Sequence, residues 1–179
     1  MKIKKNILQF FLLFLLSSSS YYAQDYVSIS VHQDFKLLAF GDNLGNKAGT
    51  LDVLARAKYQ FSQKRFGYFI LMAEFEKALL NNPYTRFGAS AGYTLNNFFS
   101  NDINFEITPY LGAGSILREG VYTFSFSGGL EIGYRLSERT KISSLFQFTD
   151  RTDLGRMFDD RALRFSFFIG LEINLFKIR

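Results

Sequence analysis

The chain has a single histidine, His32, and its spacing to Asp34 places the two side chains on the same face of an extended strand. A histidine can act as a general base when a nucleophile or a substrate lies within hydrogen-bonding reach. No nucleophile motif surrounds His32 in the sequence. We therefore expect a histidine that makes hydrogen bonds inside the fold and has no catalytic role.

A second group of reactive side chains lies in the segment Asp150–Arg161, DRTDLGRMFDDR, whose aspartates offer oxygen ligands of the kind that a hard cation prefers. The spacing matches no calcium-binding loop, and arginines in the same segment supply counter-charges. We expect a solvated loop whose charges pair with one another, without a metal. Met157 and Phe158 lie at its tip, where exposed apolar residues can contact a partner. Gly112–Gly114 lacks the glycine pattern and the following helix of a phosphate-binding loop, so we expect no cofactor.

The elements that must position these residues are strands, because apolar and polar residues alternate in eight segments. In TFSFSGGLEIGYRL, for example, one face is apolar and the other carries Thr, Ser, Gly, Glu and Arg. Most segments exceed the roughly 5–6 residues of a soluble strand and reach the roughly 9–11 residues of a tilted membrane strand. The segments are Tyr26–Ala39, Leu51–Phe61, Gly67–Lys77, Tyr84–Leu95, Ile103–Ile116, Tyr122–Leu136, Thr140–Thr149 and Ala162–Phe176.

Residues 1–23 are predicted to be a secretory signal peptide, since lysines precede a short apolar run and a serine-rich stretch follows it. We expect cleavage after Ala23, or within Ser18–Ser20 because Tyr21 is larger than the small residue usual at that position. Removal of three lysines and no acids lowers the formal charge from +5 to +2. An exported chain with so little basic excess does not fit a nucleic-acid partner, and without cysteine it forms no disulfide.

Residues 24–179 are predicted to form one barrel domain, with strands that face lipid on one side and a polar lumen on the other. The chain has 22 phenylalanines and 10 tyrosines at a mean hydropathy near zero, as such a barrel requires. Pro109 within the fifth segment predicts a bulge or a shift of register there. The predicted outer connections are Gly41–Thr50, Ala78–Pro83, Arg118–Gly120 and Asp150–Arg161, and the predicted inner ones are Ser62–Lys64, Asn96–Asp102 and Ser137–Arg139.

The last segment, Ala162–Phe176, resembles the C-terminal signal by which outer-membrane barrels are recognised for insertion, although three residues follow Phe176. With it, the chain from Tyr26 to Phe176 resembles the small eight-stranded outer-membrane β-barrels of the OmpA/OmpX type. The resemblance is one of pattern and length and involves no family-specific motif. It implies an all-β fold, an eight-stranded antiparallel up-and-down transmembrane β-barrel, in the bacterial cell outer membrane, and it implies no particular activity.

If the apolar residues of each strand face lipid, seven acids and seven bases face the lumen. A balanced set in a narrow lumen can pair, so we predict a plugged interior and no ion-selective pore. Small residues of strands four to six would make room for long side chains opposite, with Gly129 as one recess, or would ease strand curvature. The predicted lumen network is Asp34, Lys36, Asp52, Arg56, Lys58, Glu74, Glu76, Arg86, Glu106, Glu131, Arg135, Lys141, Arg164 and Glu172.

The leading hypothesis is a non-enzymatic barrel, surrounded by outer-membrane lipid, that acts as a structural or interaction protein through its outer loops. A soluble exported lipid-binding barrel resembling the lipocalins is an alternative, and it would need the apolar face to point inward. A third alternative follows from a resemblance to outer-membrane lipid acyltransferases and deacylases that use His with Ser. That resemblance would make His32 a base and Ser28 or Ser30 its partner.

Overall fold

The computed structural model describes residues 25–42, 45–62, 66–96, 104–158 and 162–178, and of residues 156–158 and 162 it describes the backbone alone. The predicted signal peptide and both of its candidate cleavage sites lie outside these residues. Most of the predicted inner connections Ser62–Lys64 and Asn96–Asp102 also lies outside them.

Eight antiparallel strands in the described part of the chain close into a barrel, in which each strand pairs with the next and the last pairs with the first. The strands are β1 Asp25–Asp34, β2 Asp52–Gln60, β3 Gly67–Ala78, β4 Tyr84–Asn96, β5 Phe105–Arg118, β6 Val121–Arg135, β7 Thr140–Arg151 and β8 Ala162–Ile178. A short helix follows β1 (α1, Phe35–Ala39) and another follows β7 (α2, Thr152–Phe158). None of the helices described is long and apolar enough to cross a membrane.

The predicted fold class is therefore confirmed: the chain is an all-β, eight-stranded, antiparallel, up-and-down barrel. Because the strand number is even, both ends of the barrel sequence lie at the same end, which we call the terminal end. The connections that follow β1, β3, β5 and β7 lie at the opposite end, which we call the loop end.

Alternation along each strand produces two chemically different faces. Phe124 and Phe126 on β6 are 57% and 59% exposed, whereas Ser125 between them is completely buried. Charged residues such as Arg56 and Glu74 are buried inside the barrel. The soluble-barrel alternative requires the apolar face to point inward, so it is wrong. An apolar outer wall around a charged interior is the arrangement that lipid stabilises.

The first strand is shorter than predicted, because Asp34 ends it. The Asp34 carboxylate accepts a hydrogen bond of 3.1 Å from the backbone nitrogen of Leu37, and this contact caps α1. The chain changes direction at this helix, where the side chain of Leu37 is buried and that of Lys36 is exposed. The predictions that the strand continues to Ala39 and that Lys36 faces the lumen are therefore wrong.

The hairpin between β5 and β6 is tighter than predicted, since only Glu119 and Gly120 lie between the two strands. Both have positive φ, 48° and 78°, the conformation that two-residue hairpins favour because it matches strand twist. As a result β5 continues to Arg118, beyond the predicted end at Ile116. β7 likewise continues beyond the predicted Thr149 to Arg151.

Pro109 does not displace its strand. Gly92 pairs with Tyr110 and Leu95 pairs with Ile107, so β4 and β5 keep one register on both sides of the proline. The predicted register shift at this position is wrong, because a missing N–H group removes a donor without adding a residue. A register shift is present instead between β1 and β8, at Val27 and Ser28.

Candidate functional site: a buried charge network

One face of every strand fills the lumen, and the charged side chains there form two networks. Arg56, Glu74, Glu131 and Glu172 are each at most 5% exposed. A charge withdrawn from water to this extent needs an opposite charge or hydrogen bonds close by. Every one of these four residues has an ion-pair partner within 3.3 Å. The candidate site is therefore the set of ion pairs that these buried side chains form.

The first network, which we call the central network, joins strands that are not neighbours. Lys58 Nζ lies 2.6 Å from Glu131 Oε1 and 2.6 Å from Glu172 Oε2, which connects β2 with β6 and β8. Arg56 Nη2 lies 2.7 Å from Glu74 Oε1, and Arg56 Nη1 lies 3.3 Å from Glu131 Oε2. Its nine members are Arg56, Lys58, Glu74, Arg86, Glu106, Glu131, Arg135, Lys141 and Glu172.

The remaining pairs extend the central network to both sides. Arg86 Nη1 lies 2.9 Å from Glu74 Oε2, and Arg86 Nη2 donates a hydrogen bond of 2.6 Å to Ser127 on β6. Towards the terminal end, Lys141 Nζ lies 3.1 Å from Glu106 and 3.2 Å from Glu172. Arg135 pairs with the other oxygen of Glu106. The network thus contains five bases and four carboxylates.

The second network lies near the loop end and is organised around Tyr84. The Tyr84 hydroxyl donates a hydrogen bond to Glu76 and accepts one of 2.5 Å from Arg164. Arg164 Nη2 also lies 2.5 Å from Asp52 and 3.5 Å from Asp34. The members of this loop-end network are Asp34, Asp52, Glu76, Tyr84, Arg118, Arg151, Asp153 and Arg164.

Three charged members of the loop-end network, Arg118, Arg151 and Asp153, were not among the predicted residues, and neither was the uncharged Tyr84. Asp153 pairs with Arg118 at 2.9 Å and with Arg151 at 2.8 Å, and the Arg151 guanidinium lies 4.1 Å from the centre of the Tyr84 ring. Asp153 is only 1% exposed, so the prediction of a solvated loop is wrong at this position. Both arginines continue the inward alternation of β5 and β7 by two residues, and extension of that pattern is the signal that would have found them.

Asp153 lies in α2, outside the strands. Burial alone would raise the pKa of its carboxyl group. The hydrogen bond and charge of Arg151, together with the charge of Arg118, outweigh burial and lower the pKa below its ordinary value. The ionised Asp153 carboxylate therefore holds α2 against the ends of β5 and β7 through its ion pairs with Arg118 and Arg151.

Neutral side chains fill the space between the charges. Tyr110 on β5 donates a hydrogen bond of 3.1 Å to Gln147, and the Arg56 guanidinium lies 4.6 Å from the centre of its ring. A Cβ atom on Gly129 would lie 2.8 Å from the Tyr110 hydroxyl. The absence of a side chain at Gly129 thus leaves a recess in the lumen wall, and the side chain that occupies it, Tyr110, comes from the adjacent strand. The prediction of a side chain from the opposite wall is wrong.

His32 is 1% exposed, and its Nε2 lies 2.8 Å from Ser143 Oγ on β7. Neither predicted serine partner reaches it: Ser28 donates instead to Glu172 at 3.0 Å, and no partner of Ser30 Oγ is present among the described residues. The ring is buried in the lumen, away from the lipid-facing wall. Its contacts are those of a hydrogen-bonding residue inside the fold, as the sequence predicts.

Thirteen of the fourteen predicted lumen residues lie in the two networks, and Lys36 is the exception. With the three additional residues, the described lumen contains eight acids and eight bases. The side chains of Met157 and Phe158 lie outside the described part of the chain. In that part, no group of three or more His, Cys, Asp and Glu side chains is placed to hold a metal ion.

The fold resembles that of solved membrane barrels. The outer membrane protein Ail of Yersinia pestis, in a phospholipid bilayer nanodisc, superposes with a TM-score of 0.55 at 13% identity, over 86% of this chain and 99% of that one. The crystal structure of Ail, the attachment invasion locus protein, gives 0.50 at 11% identity, over 87% and 100%. No protein-family model and no curated protein matches the chain. The chain therefore has the fold of the small eight-stranded outer-membrane β-barrels.

Proposed function

We propose that the chain is a non-enzymatic barrel of the bacterial outer membrane, with a lumen closed by its two charge networks and a loop end that serves as a structural or interaction surface. In the proposed orientation of the barrel in the membrane, the terminal end faces the periplasm and the loop end faces the outside of the cell. The observation that carries the proposal is the ion pairing between opposite walls, inside a wall whose apolar side chains are exposed.

Contacts across the lumen support its closure. Lys58 on β2 reaches Glu131 on β6, and Arg86 on β4 reaches Ser127 on β6, so both contacts join strands that are not adjacent. Eight strands leave an interior only wide enough for side chains to fill. Because the side chains involved are almost completely buried, a hydrated ion would have to break several pairs to pass.

The contacts of His32 support the absence of enzymatic activity. A lipid-modifying enzyme needs its base where a substrate can reach it, and His32 is buried between β1 and β7. Its hydrogen-bonding partner Ser143 is equally buried, at 1% exposure. The two residues support the barrel wall in this proposal and have no substrate.

The loop end offers apolar side chains that suit a partner. Phe40, directly after α1, is 78% exposed, and Phe35 and Leu38 on the helix are 41% and 44% exposed. Exposed apolar residues of this size are typical of contact surfaces. Met157 and Phe158 in the connection after β7 are proposed to belong to the same surface, which would contact a protein or another surface outside the cell.

Cell fractionation, combined with gel electrophoresis, tests the location. We expect the protein in the outer-membrane fraction, and we expect its folded form to migrate differently before and after boiling in detergent. Planar bilayers test the closed lumen, and we expect no conductance above the background of the bilayer. Recovery from the periplasm would overturn the proposed location, whereas steady ion conductance would overturn the closure alone.

A further inference from the structure

The terminal end of the barrel opens into a cavity of about 580 Å³, which we call the vestibule. Its walls come from the first and last strands, from the β2 and β3 ends and from the β6–β7 turn. Sites for small ligands in proteins commonly have volumes of roughly 300–1,000 Å³. The vestibule is thus large enough for a short peptide and too small for a folded domain. The residues that matter for its chemistry are Tyr26, Tyr68, Arg135, Glu138, Arg139 and Lys177.

Positive charge predominates in the vestibule. Among the residues that the structure describes, Arg135, Arg139 and Lys177 line it, against one acidic residue, Glu138. The central network adds to this excess, because it contains five bases and four carboxylates. At its terminal-end limit Glu106 is shared between Lys141 and Arg135. An anion that enters the vestibule therefore meets an electrostatic field that favours it.

Arg135 is the best-placed group to receive that anion. Its side chain is 49% exposed, while Glu106, with which it pairs, is only 5% exposed. The contact with Glu106 uses one terminal nitrogen, Nη2. A guanidinium has five N–H donors in a fork that matches a carboxylate, so Arg135 retains donors for a second acceptor. Because Glu106 holds one side of the guanidinium in place, little of the side chain's freedom remains to be lost on binding.

The other walls favour an organic anion with an apolar body. Tyr26 and Tyr68 line the vestibule together with Phe61 and Phe176, and the Lys177 ammonium lies 5.9 Å from the centre of the Tyr26 ring. Aromatic walls bind apolar side chains, whereas inorganic phosphate gains nothing from them. A peptide that ends in a free carboxylate after an apolar residue satisfies both parts of the cavity.

We propose that the vestibule binds the C-terminal carboxylate of a peptide, with the carboxylate on Arg135 and the last side chain against the tyrosine walls. Arg139 and Lys177 increase the attraction from the rim. This site lies at the opposite end from the proposed interaction surface and does not depend on it. In the proposed orientation the vestibule opens to the periplasm, so the ligand would be a periplasmic peptide or the C-terminal tail of a protein.

The chain contains no tryptophan, and this makes a direct binding measurement simple. A peptide of sequence acetyl-Ala-Ala-Trp supplies the only indole fluorescence when it is titrated with the refolded barrel in detergent micelles. The matched probe is the same peptide with an amidated C-terminus. We expect the free acid to bind at least tenfold more tightly than the amide, and added salt to weaken the binding.

Two variants and one control assign the site. Arg135→Gln should weaken binding of the free acid at least tenfold, and Arg139→Gln, outside the network, should weaken it several-fold. Lys47→Gln removes the same charge from an exposed position at the loop end and should leave binding unchanged. The boiling-dependent gel shift reports whether each variant folds.

Three results would overturn the proposal. One is equal affinity for the acid and the amide. Another is an unchanged affinity for the free-acid peptide in both single variants, Arg135→Gln and Arg139→Gln, when both are folded. The third is displacement of the peptide by millimolar phosphate at constant ionic strength, which would indicate a general anion site. None of these results bears on the proposed role of the loop end.

Discussion

Lys58 on β2 and Glu131 on β6 are in direct contact across the lumen, with Nζ 2.6 Å from Oε1 and 2.8 Å from Oε2. The two strands are not neighbours in the barrel, so this pair connects opposite walls. Glu131 is also 3.3 Å from Arg56, which makes it the carboxylate that joins two cations of β2. The stability of the barrel should therefore depend strongly on this one acid.

Glu131→Gln should destabilise the folded barrel by about 3–5 kcal/mol, because it removes the carboxylate that two buried cations share, and Lys58 and Arg56 keep only Glu172 and Glu74 as ion-pair partners. Urea unfolding of the protein in lipid vesicles measures the free energy of unfolding. Glu119→Gln is the matched control, since Glu119 lies exposed in the β5–β6 hairpin and should change stability little. Equal effects of the two substitutions would contradict the assignment of Glu131 to a buried network.

The adjacent glycines Gly128 and Gly129 should respond differently to alanine. A Cβ atom at Gly129 would lie 2.0 Å from the carbonyl oxygen of Phe146, so the backbone must move. At Gly128 it would lie 2.9 Å from the flexible end of the Leu111 side chain and, at 3.5 Å, in ordinary van der Waals contact with the carbonyl oxygen of Tyr110. We expect Gly129→Ala to cost about 1–3 kcal/mol, as overpacking of a core does, and Gly128→Ala to cost clearly less. Urea unfolding of the two variants makes the comparison, and a larger loss for Gly128→Ala would contradict the inward orientation of Gly129.

Asp153 should stabilise the loop end in a manner that depends on pH. Because its pKa is lowered in the folded protein, its contribution is complete above the ordinary pKa of an aspartate, about 3.9, and disappears as the pH falls through the lowered value. Asp153→Asn should therefore lower the temperature of the gel shift at pH 7 and have a smaller effect near pH 3. An effect that is the same at both pH values would show that the charge of Asp153 is not responsible.

The proposed orientation predicts which positions are accessible from outside the cell. The chain has no cysteine, so a single introduced one is a specific label site. Lys47→Cys at the loop end should react with a membrane-impermeant maleimide on intact cells, whereas Glu138→Cys at the terminal end should react only after lysis. Both positions are exposed, so a difference reports the side of the membrane. The reverse labelling pattern would show that the barrel has the opposite orientation in the membrane.

The barrel and the inward positions of its charges follow from alternation, because a strand turns successive side chains to opposite faces whatever its neighbours are. The ends of the strands depend on local contacts that alternation does not contain. Asp34 shows this, since the same residue continues the pattern and also caps a helix. The positions of Arg118 and Arg151 were missed because the predicted strands ended two residues early.

Side-chain pairings across the lumen could not be predicted from the sequence for a different reason. His32 and Ser143 are separated by 111 residues, and their contact depends on the strand order and on the register at which the barrel closes. Gly129 illustrates the same limit, because its recess was recognisable but its occupant, Tyr110, follows from the β5–β6 register. Composition and periodicity describe one strand at a time, whereas a partner is a property of two.

The eight acids and eight bases that the structure describes in the lumen are equal in number but unequally distributed along its axis. The central network, which continues to the terminal end, has one more base than acids, and the loop-end network has one more acid than bases. The barrel therefore contains a fixed electric dipole parallel to its axis, positive towards the chain termini. Its two mouths would attract ions of opposite sign whether or not the lumen is closed to ions, as we propose.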